Sequence, residues 1–408
     1  MRSHTGTLHS RRRNVNGKPT QPGTSNKLVG SFVISATLLL SAEAALALLI
    51  QLYLKDLGAS PLIISLSSSL SWVGTLIASP VWGGFSDRVS SRRLLGIVLA
   101  GSGLATYPLA FLPTASVVLL LGVIRRFAGN GLAPIGMKLI SDASPVSQKG
   151  RNLSFLSAAR AAGFVFGGIL GGILLERLGF RMSFLIVAGL PMVATLCVTW
   201  IPRTRQPSVA PSVGRETWHT LRHSPLGPLY IGVMLRQLST TGVGALAFVY
   251  MAEFGISSET MGIVSAINPT IAVASTLVCG ALVDRIDRRL PIVFGFVVAT
   301  LYPLGYAVAT GPVGFAFAAV PLGLSFGSYY SGTTKTISAI VPQNQQGAMF
   351  GLLDSSRGLG GLLGPIAAGI LVTGFGYRWM FLCMAAISAM ASLLVMWTMR
   401  TVGRAQTA

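Results

Sequence analysis

The amino-acid sequence predicts an all-α polytopic membrane protein with twelve transmembrane helices in two parallel six-helix bundles. Three observations predict this fold class. Hydrophobic residues make up 51% of the 408 residues and charged residues only 10%, whereas a soluble domain carries about 25% charged residues. The apolar runs have the length of about 20 residues that a helix needs to cross a bilayer. The second half of the chain also repeats the first at a constant offset.

The repeat is clearest in two short basic loops, each of which stands between two apolar runs. Asp87-Arg88 in the first loop and Asp284-Arg285 in the second are 197 residues apart. The same offset relates further residues in pairs: Arg160 and Arg357, Gly163 and Gly360, Gly167 and Gly364, Gly172 and Gly369, and Gly179 and Gly376. Self-similarity at one fixed offset indicates a tandem duplication, which decides the architecture before any local feature does.

The individual helices follow from the apolar runs, taken in chain order. Predicted helices 1–12 cover residues 28–54, 61–82, 94–113, 116–138, 152–175, 181–201, 226–252, 259–282, 290–310, 312–335, 348–373 and 378–400. They form a first bundle (28–201) and a second bundle (226–400). Segment 1–27 is predicted to be a disordered basic cytoplasmic tail, 202–225 a polar cytoplasmic linker and 401–408 a short tail. Since six crossings precede the linker, the two halves have the same orientation in the membrane.

The net charge of +20 would suit nucleic-acid binding, but the placement of the basic residues favours a topology signal. With a cytoplasmic N-terminus, 22 of the 31 Lys and Arg residues fall in inside segments. The outer loops hold only Lys55, Arg177, Arg181 and Arg378. Such a bias sets the orientation of a membrane protein. We therefore expect both termini to be cytoplasmic, the location to be the plasma (cell or inner) membrane, and no nucleic-acid partner.

Cysteine and histidine usage argues against metal or enzyme chemistry. The three cysteines lie far apart in different predicted helices, and all four histidines lie in the tail or the linker. No group of residues has the spacing of a metal site, a catalytic cluster or a nucleotide-binding loop. We therefore expect no metal, no cofactor and no enzymatic activity, with an ion gradient as the energy source. A membrane-embedded enzyme or a receptor is the alternative class.

Four short motifs occupy fixed places in this scheme. The loops after helices 2 and 8 carry Gly83, Asp87, Arg88 and Arg92, and Gly280, Asp284, Arg285 and Arg288, while helix 4 carries R-x-x-x-G-x-G at Arg125, Gly129 and Gly131. Helix 5 carries Gly163, Gly167, Gly171 and Gly172, and helix 11 repeats this pattern with Gly360, Gly364, Pro365 and Gly369. Over nearly the whole chain after the tail, the sequence resembles the major facilitator superfamily. The helix 5 pattern resembles its twelve-helix drug/proton antiporter branch, with Gly168 in place of the proline.

The resemblance implies the fold of that superfamily and a secondary transporter that works by alternating access. It also implies that Asp87 acts as a latch by capping the positive N-terminal end of helix 11 in the other half. The alternative is that Asp87 and Arg88 are ordinary charges at a membrane boundary. The glycines of helices 5 and 11 are predicted to lie close to one face, where they let a neighbouring helix approach closely.

Seven ionisable residues fall inside predicted helices: Glu43, Arg125, Arg126, Arg160, Arg236, Asp354 and Arg357. Each costs about 2.5–3.5 kcal/mol at a helix centre, so they must face a cavity or one another. We hypothesise that Glu43 carries a proton with Arg125 beside it, as in the antiporters that the chain resembles. A static ion pair is the alternative. The excess of arginines over acids favours neutral or anionic substrates; the alternative is that some arginines, Arg126 first among them, reach the cytoplasmic rim.

The remaining intramembrane charges are predicted to line the substrate cavity. Arg236 is the best candidate for a substrate contact. Arg160, Asp354 and Arg357 are further candidates, and Asp354 can pair with Arg357 at i, i+3 along helix 11. For Arg160 and Arg357 a structural role is the alternative. We predict a monomeric, proton-coupled exporter of small amphipathic molecules. The alternative is a permease for an organic anion or a sugar, because five intramembrane arginines face two acids.

Overall fold

The computed structural model describes residues 22–143, 149–199, 227–283, 285–341 and 345–407. The helices of these ranges are α1 (Pro22–Asp56), α2 (Pro61–Arg88), α3 (Ser91–Thr106), α4 (Ala115–Gly129), α5 (Leu132–Ala143), α6 (Lys149–Val198), α7 (Gly227–Glu253), α8 (Ser258–Leu282), α9 (Arg289–Ala299), α10 (Leu301–Val308), α11 (Pro312–Ile340), α12 (Gln346–Phe375) and α13 (Tyr377–Thr407). A 3-10 turn, Tyr107–Ala110, continues α3. The all-α fold class is thereby confirmed.

Within the described ranges these helices make twelve crossings. Ten stretches are long and apolar enough to span a membrane; α4 with α5, and α9 with α10, each form one of them. The stretch Ser157–Val198 has 42 residues and crosses twice, because α6 bends at Gly179. The twelfth crossing is α7, which has 27 residues. It is not among the ten, because Arg236, Gln237 and the hydroxyl residues after them lower its hydropathy.

The two halves turn alike at one end of the bundle, which we call the far end. The glycines with positive φ lie there: Gly58 (73°), Gly179 (70°), Gly255 (67°) and Gly376 (82°). A side chain is strained in this backbone conformation, so glycine is favoured. Gly58 and Gly255 are 197 residues apart, as are Gly179 and Gly376. The duplication predicted from the sequence therefore extends to the backbone geometry of the turns.

The opposite end, which we call the linker end, carries Val89, Thr199, Gly227 and Val341. At the far end, side chains of both halves, among them Phe184 and Phe381, form one apolar core. At the linker end the described apolar side chains form two separate cores, one from residues 29–198 and the other from 229–399. Among the described residues, one apolar core thus joins the halves at the far end, whereas each half has its own core at the linker end.

The helix bounds differ from the prediction at both ends of the chain. α1 begins at Pro22, inside the segment 1–27 that was predicted to be a disordered tail. Proline suits the first turn of a helix because its missing N–H would have no partner there. α13 continues to Thr407, whereas the sequence predicts its end at residue 400. Loss of hydropathy ends a membrane span but does not end a helix. The predicted linker 202–225 lies outside the described residues.

Candidate functional site

A cavity of about 430 Å³ lies between the two halves. Charged, amide and hydroxyl groups from both halves face it: Glu43, Gln51, Ser67, Ser68, Ser71, Arg125, Arg126, Thr240, Thr241, Ser265, Asn268, Tyr302 and Tyr306. Among the described lining residues, the charged side chains all come from the first half. Apolar side chains such as Trp72 and Phe248 complete the wall. The cavity thus offers an amphipathic surface with its charge on one side.

The charge asymmetry falls on positions that the duplication makes equivalent. Glu43 and Thr240 are 197 residues apart, and so are Arg125 and Leu322. All four residues line the cavity. The two halves therefore present the same backbone positions to the cavity but different chemistry. Only the first half supplies an acid and a base at these positions.

Glu43 lies on α1 with 5% of its side chain exposed. Its Oε2 atom forms an ion pair with Nη1 of Arg125 and accepts a hydrogen bond from Nη1 of Arg126 at 2.7 Å. Its Oε1 atom has no hydrogen-bond partner among the described residues. The structure therefore brings Glu43 and Arg125 together across the interface of α1 and α4, as the sequence predicts. It leaves one carboxylate oxygen, Oε1, buried and without a hydrogen bond among the described residues.

A local break in helix 4 makes this arrangement possible. α4 ends at Gly129, and Asn130 then donates hydrogen bonds to the Arg126 carbonyl (2.8 Å) and to Thr75 Oγ1 of α2 (2.9 Å). A β-carbon at Gly129 would lie 3.3 Å from Glu43 Oε1. The glycine therefore gives the carboxylate its room, and the asparagine holds the turn that carries both arginines.

Arg126 differs from its predicted place at the cytoplasmic rim. Its side chain lines the cavity, is 33% exposed, and pairs with Glu43 at 2.7 Å. Neighbouring residues on a helix point about 100° apart, so Arg125 and Arg126 leave α4 in different directions. The long arginine side chain overcomes that angle and brings its guanidinium back to the same carboxylate.

Arg236 also differs from its prediction as a substrate contact. It is 2% exposed and is not part of the cavity wall described above. Its Nε and Nη2 atoms donate to Ser325 Oγ at 3.0 and 2.7 Å, and its guanidinium lies 4.1 Å from the centre of the Tyr329 ring. Ser325 in turn donates to the Gly295 carbonyl at 2.6 Å. In this conformation Arg236 packs inside the second half.

Arg160, Asp354 and Arg357 lie together nearer the linker end. Asp354 is 74% exposed and pairs with Arg357 at 3.3 Å, as its i, i+3 spacing predicts. The Arg357 guanidinium lies 5.7 Å from the centre of the Phe326 ring. Arg160 is exposed and lies within electrostatic range of both charges across the gap between the halves. They do not line the cavity itself.

The loop motifs are only partly described. Arg92 is half-buried at the start of α3, Arg285 is exposed and Arg288 is half-buried. Gly83 and Gly280 have no atoms near their missing β-carbons. The side chains of Asp87 and Arg88, and residue Asp284, lie outside the described part of the chain. The latch at Asp87 remains a prediction.

The glycines of the pattern shared by helices 5 and 11 lie at close helix contacts. A β-carbon would meet α1 from Gly163, Gly167 and Gly171, α7 from Gly360 and Gly364, α8 from Gly172, and α2 from Gly369. Gly167 faces Ser41 and Gly364 faces Leu238, and these two partners are themselves 197 residues apart. Pro365 lines the cavity. The predicted close approach is present in both halves with matching partners.

Three polar residues for which the sequence analysis predicted no contact between the halves join them at the far end. Gln51 donates to the Gly244 carbonyl at 2.8 Å and accepts from the Phe248 N–H at 3.3 Å. Lys55 donates to the Val249 carbonyl (3.3 Å), and Glu176 accepts from the Ser258 N–H (2.9 Å). Gln51 lies eight residues after Glu43, on the same helical face. The eight-residue spacing from Glu43 is the feature of the sequence that could have identified Gln51.

Two six-helix halves around a shared cavity define a polytopic transporter fold, and comparisons identify its family. The sequence profile of the Major Facilitator Superfamily matches residues 32–313 and 229–407. The chain therefore belongs to this superfamily of transporters. It is 24% identical over 344 residues to the multidrug resistance protein MdtG of Serratia proteamaculans, covering 81% of this chain and 82% of that protein.

Two further comparisons agree with this family. Identity to the multi-drug resistance efflux pump PmrA of Streptococcus pneumoniae is 24% over 345 residues, covering 82% of this chain and 86% of that protein. Among solved structures, a bacterial homologue of the human lysosomal transporter Spinster, in an inward-facing and unoccupied conformation, superposes with a TM-score of 0.82 at 14% identity. That match covers 94% of this chain and 98% of the other. The structural likeness shows the shared fold.

Proposed function

We propose that this transporter is a proton-coupled exporter of small amphipathic compounds and that Glu43 carries the proton. The observation that carries the proposal is the position of Glu43, the acid on the described cavity wall, where it is almost buried. The multidrug names of MdtG and PmrA support export of amphipathic compounds. The mixed wall of apolar, hydroxyl and charged groups suits such substrates.

The proton binds at the Oε1 atom of Glu43, which is buried and has no hydrogen-bond partner among the described residues, on a residue that lines the cavity. In the ionised state, the carboxylate attracts both guanidiniums and ties α1 to α4. Protonation removes that attraction and returns two unpaired cations to the cavity wall. Substrate and proton thereby act on the same helix contact, which is the requirement for coupling two solutes through one change of conformation.

We place the transporter in the inner or plasma membrane as a monomer with both termini in the cytoplasm. The distribution of Lys and Arg residues supports this orientation. In this orientation the linker end faces the cytoplasm. The separate apolar cores at that end support a cavity that is open to the cytoplasm. The bundles 28–201 and 226–400 then move against one another, joined by the cytoplasmic linker 202–225.

The test is transport into inside-out membrane vesicles under an imposed pH gradient. Wild-type protein is expected to accumulate an amphipathic dye only while the gradient lasts, and Glu43→Gln is expected to abolish accumulation. Glu259→Gln, which makes the same change in the first turn of α8 away from the cavity, is the matched control and should transport normally. Gradient-driven accumulation by Glu43→Gln would rule out the carrier role.

A permease for an organic anion or a sugar is the second candidate. The observation in its favour is that two arginines, Arg125 and Arg126, share one carboxylate in the cavity. The same vesicles distinguish the candidates. A permease would equilibrate an acidic compound without a pH gradient and would ignore the dye. An exporter would concentrate its substrate and stop when the gradient is collapsed.

A further inference from the structure

We propose that Arg126 sets the charge selectivity of the cavity, so that the transporter accepts anionic and neutral amphiphiles and excludes organic cations. This inference names the substrate class of the proposed exporter and rests on that function for its direction of transport. It concerns binding at the cavity and is argued from the contacts of Glu43, Arg125 and Arg126.

The two arginines that share Glu43 differ in exposure. Arg125 has 5% of its side chain exposed and Arg126 has 33%. Both use their Nη1 atoms on the same carboxylate oxygen. Arg125 is therefore the buried partner that neutralises ionised Glu43 in the protein interior. Arg126 is the partner that a solute in the cavity can reach.

The charge balance of the cavity leaves Arg126 in excess. Glu43 neutralises one of the two guanidiniums, so the site carries +1 when Glu43 is ionised and +2 when it is protonated. The other polar groups described on the wall are neutral: the hydroxyls of α2, α7 and α8, the amides Gln51 and Asn268, and the phenols Tyr302 and Tyr306. Among the described lining residues nothing else offsets the excess. A cation entering the cavity is repelled in both protonation states of Glu43.

An anionic headgroup has a ready partner in Arg126. Guanidinium binds carboxylate, sulfonate or phosphate oxygens through charge-assisted hydrogen bonds. When the headgroup takes Arg126, Glu43 keeps Arg125, so no buried charge loses its last partner. A neutral amphiphile with a carbonyl oxygen can accept from the same group. The apolar part of either ligand meets Trp72 and Phe248 across the cavity.

A second cluster of charges, nearer the linker end than the cavity, has the same balance. Asp354 neutralises Arg357, and Arg160 faces this pair from the other half. This second cluster also carries one positive charge in excess. A negatively charged solute is therefore attracted along the gap between the halves before it reaches Arg126.

The test measures binding to purified protein in lipid nanodiscs at one pH, with no gradient. The ligands are three naphthalene probes that differ in charge: 1-naphthylacetate, its amide, and 1-naphthylmethylammonium. Wild-type protein is expected to bind the acetate about tenfold or more tightly than the ammonium compound. Arg126→Gln is expected to bring these two affinities within about threefold of each other, while the affinity for the amide changes little.

Two control variants separate charge selectivity from general effects. Arg126→Lys keeps the charge and should keep the order of affinities. Arg181→Gln removes one positive charge from an exposed residue near the far end, where Arg181 lies over Phe111, and should leave the order unchanged. The wild-type affinities alone test the proposal if Arg126→Gln fails to fold.

Two outcomes would overturn the proposal: wild-type protein that binds the ammonium probe as tightly as the acetate, or an undiminished preference in folded Arg126→Gln. Loss of gradient-driven transport in vesicles, with the preference intact, would instead contradict only the exporter function. Gradient-driven export of cations and anions alike would contradict only the selectivity. The two failures are therefore distinguishable.

Discussion

Arg236 is a buried cation held by a hydroxyl group and an aromatic ring. Two of its nitrogens donate to Ser325 Oγ, and its guanidinium lies on the Tyr329 ring. No acid in the described ranges forms an ion pair with it at the distances of the pairs around Glu43 and Asp354. Stacking of a desolvated guanidinium on an aromatic face stabilises by about 2 kcal/mol. The contact therefore stabilises the folded second half.

We predict that Arg236→Ala lowers stability by about 2–4 kcal/mol, because truncation leaves a void beside Tyr329. Arg236→Met fills most of that volume without a charge and should recover much of the loss. The measurement is thermal unfolding of detergent-purified protein, with probe binding to the cavity as a second readout. Normal stability of Arg236→Met with a lost preference for the anionic probe would instead support a substrate contact for Arg236.

For single residues, the sequence predicted the pairing of Glu43 with Arg125 but not the positions of Arg126 or Arg236. An acid and a base on separate membrane helices each need a partner, so their meeting follows from the energetic cost of isolation. Which way a particular arginine turns depends on the surrounding packing. Gly129 opens space at Glu43, and Tyr329 offers a ring to Arg236. Gly129 is far from Glu43 in the sequence, and Tyr329 is far from Arg236.

Among the helices, the contact between α6 and α1 depends on the absence of side chains. A β-carbon at Gly167 would overlap the backbone of Ser41, whereas one at Gly189, in the second crossing of α6, would meet no atom within 4 Å. Because lipid supplies no hydrophobic force between membrane helices, this close backbone contact is a main source of their association. The contact recurs between α12 and α7 at Gly364.

We predict that Gly167→Ala destabilises the protein by about 1–3 kcal/mol, because the added methyl group overpacks the α1 interface. Gly364→Ala should have a similar effect, since it faces the equivalent position of α7. Gly189→Ala is the matched control and should be neutral or slightly stabilising, because alanine favours helix. Thermal unfolding of the three variants checks this. Equal melting temperatures for Gly167→Ala and Gly189→Ala would contradict the interface role.

The sequence predicted the elements better than their ends and partners. The 197-residue offset predicted equivalent glycines, and Gly179 and Gly376 have matching φ angles. Hydropathy located the spans because each must fill the bilayer. It missed the helical residues beyond the bilayer at Pro22 and Thr407. The sequence also could not indicate that Gly167 packs on α1. The spacing of the glycines defines one face of a helix but does not say which helix that face contacts.

Across the whole molecule, the halves are joined at the far end by contacts from side chain to backbone. Gln51 bonds the backbone of α7 twice, Lys55 once, and Glu176 accepts from the first N–H of α8. At the linker end, Gly347 and Gly351 of α12 have open space beside them. In the conformational change that we propose for transport, the far-end contacts break while contacts form at the linker end. The far-end hydrogen bonds therefore set part of the balance between the two conformations.

We predict that Gln51→Leu shifts this balance toward a conformation that is open at the far end. Loss of two hydrogen bonds of about 0.5–1.5 kcal/mol each should change the equilibrium by about tenfold. The measurement is the distance between spin labels at Asp56 and Phe254, after Cys197, Cys279 and Cys383 have been replaced by serine. A longer distance should become more populated in Gln51→Leu.

Gln346→Leu is the matched control for this change. Gln346 also makes two hydrogen bonds, to the carbonyls of Ser338 (3.0 Å) and Val341 (3.1 Å), but both lie within the second half. Gln346→Leu should leave the distance between the spin labels at Asp56 and Phe254 as it is in the labelled protein that keeps Gln346. If Gln51→Leu gave the same distances as this control, the apolar core shared at the far end would be sufficient to hold that end closed. The hydrogen bonds of Gln51 would then have no part in gating.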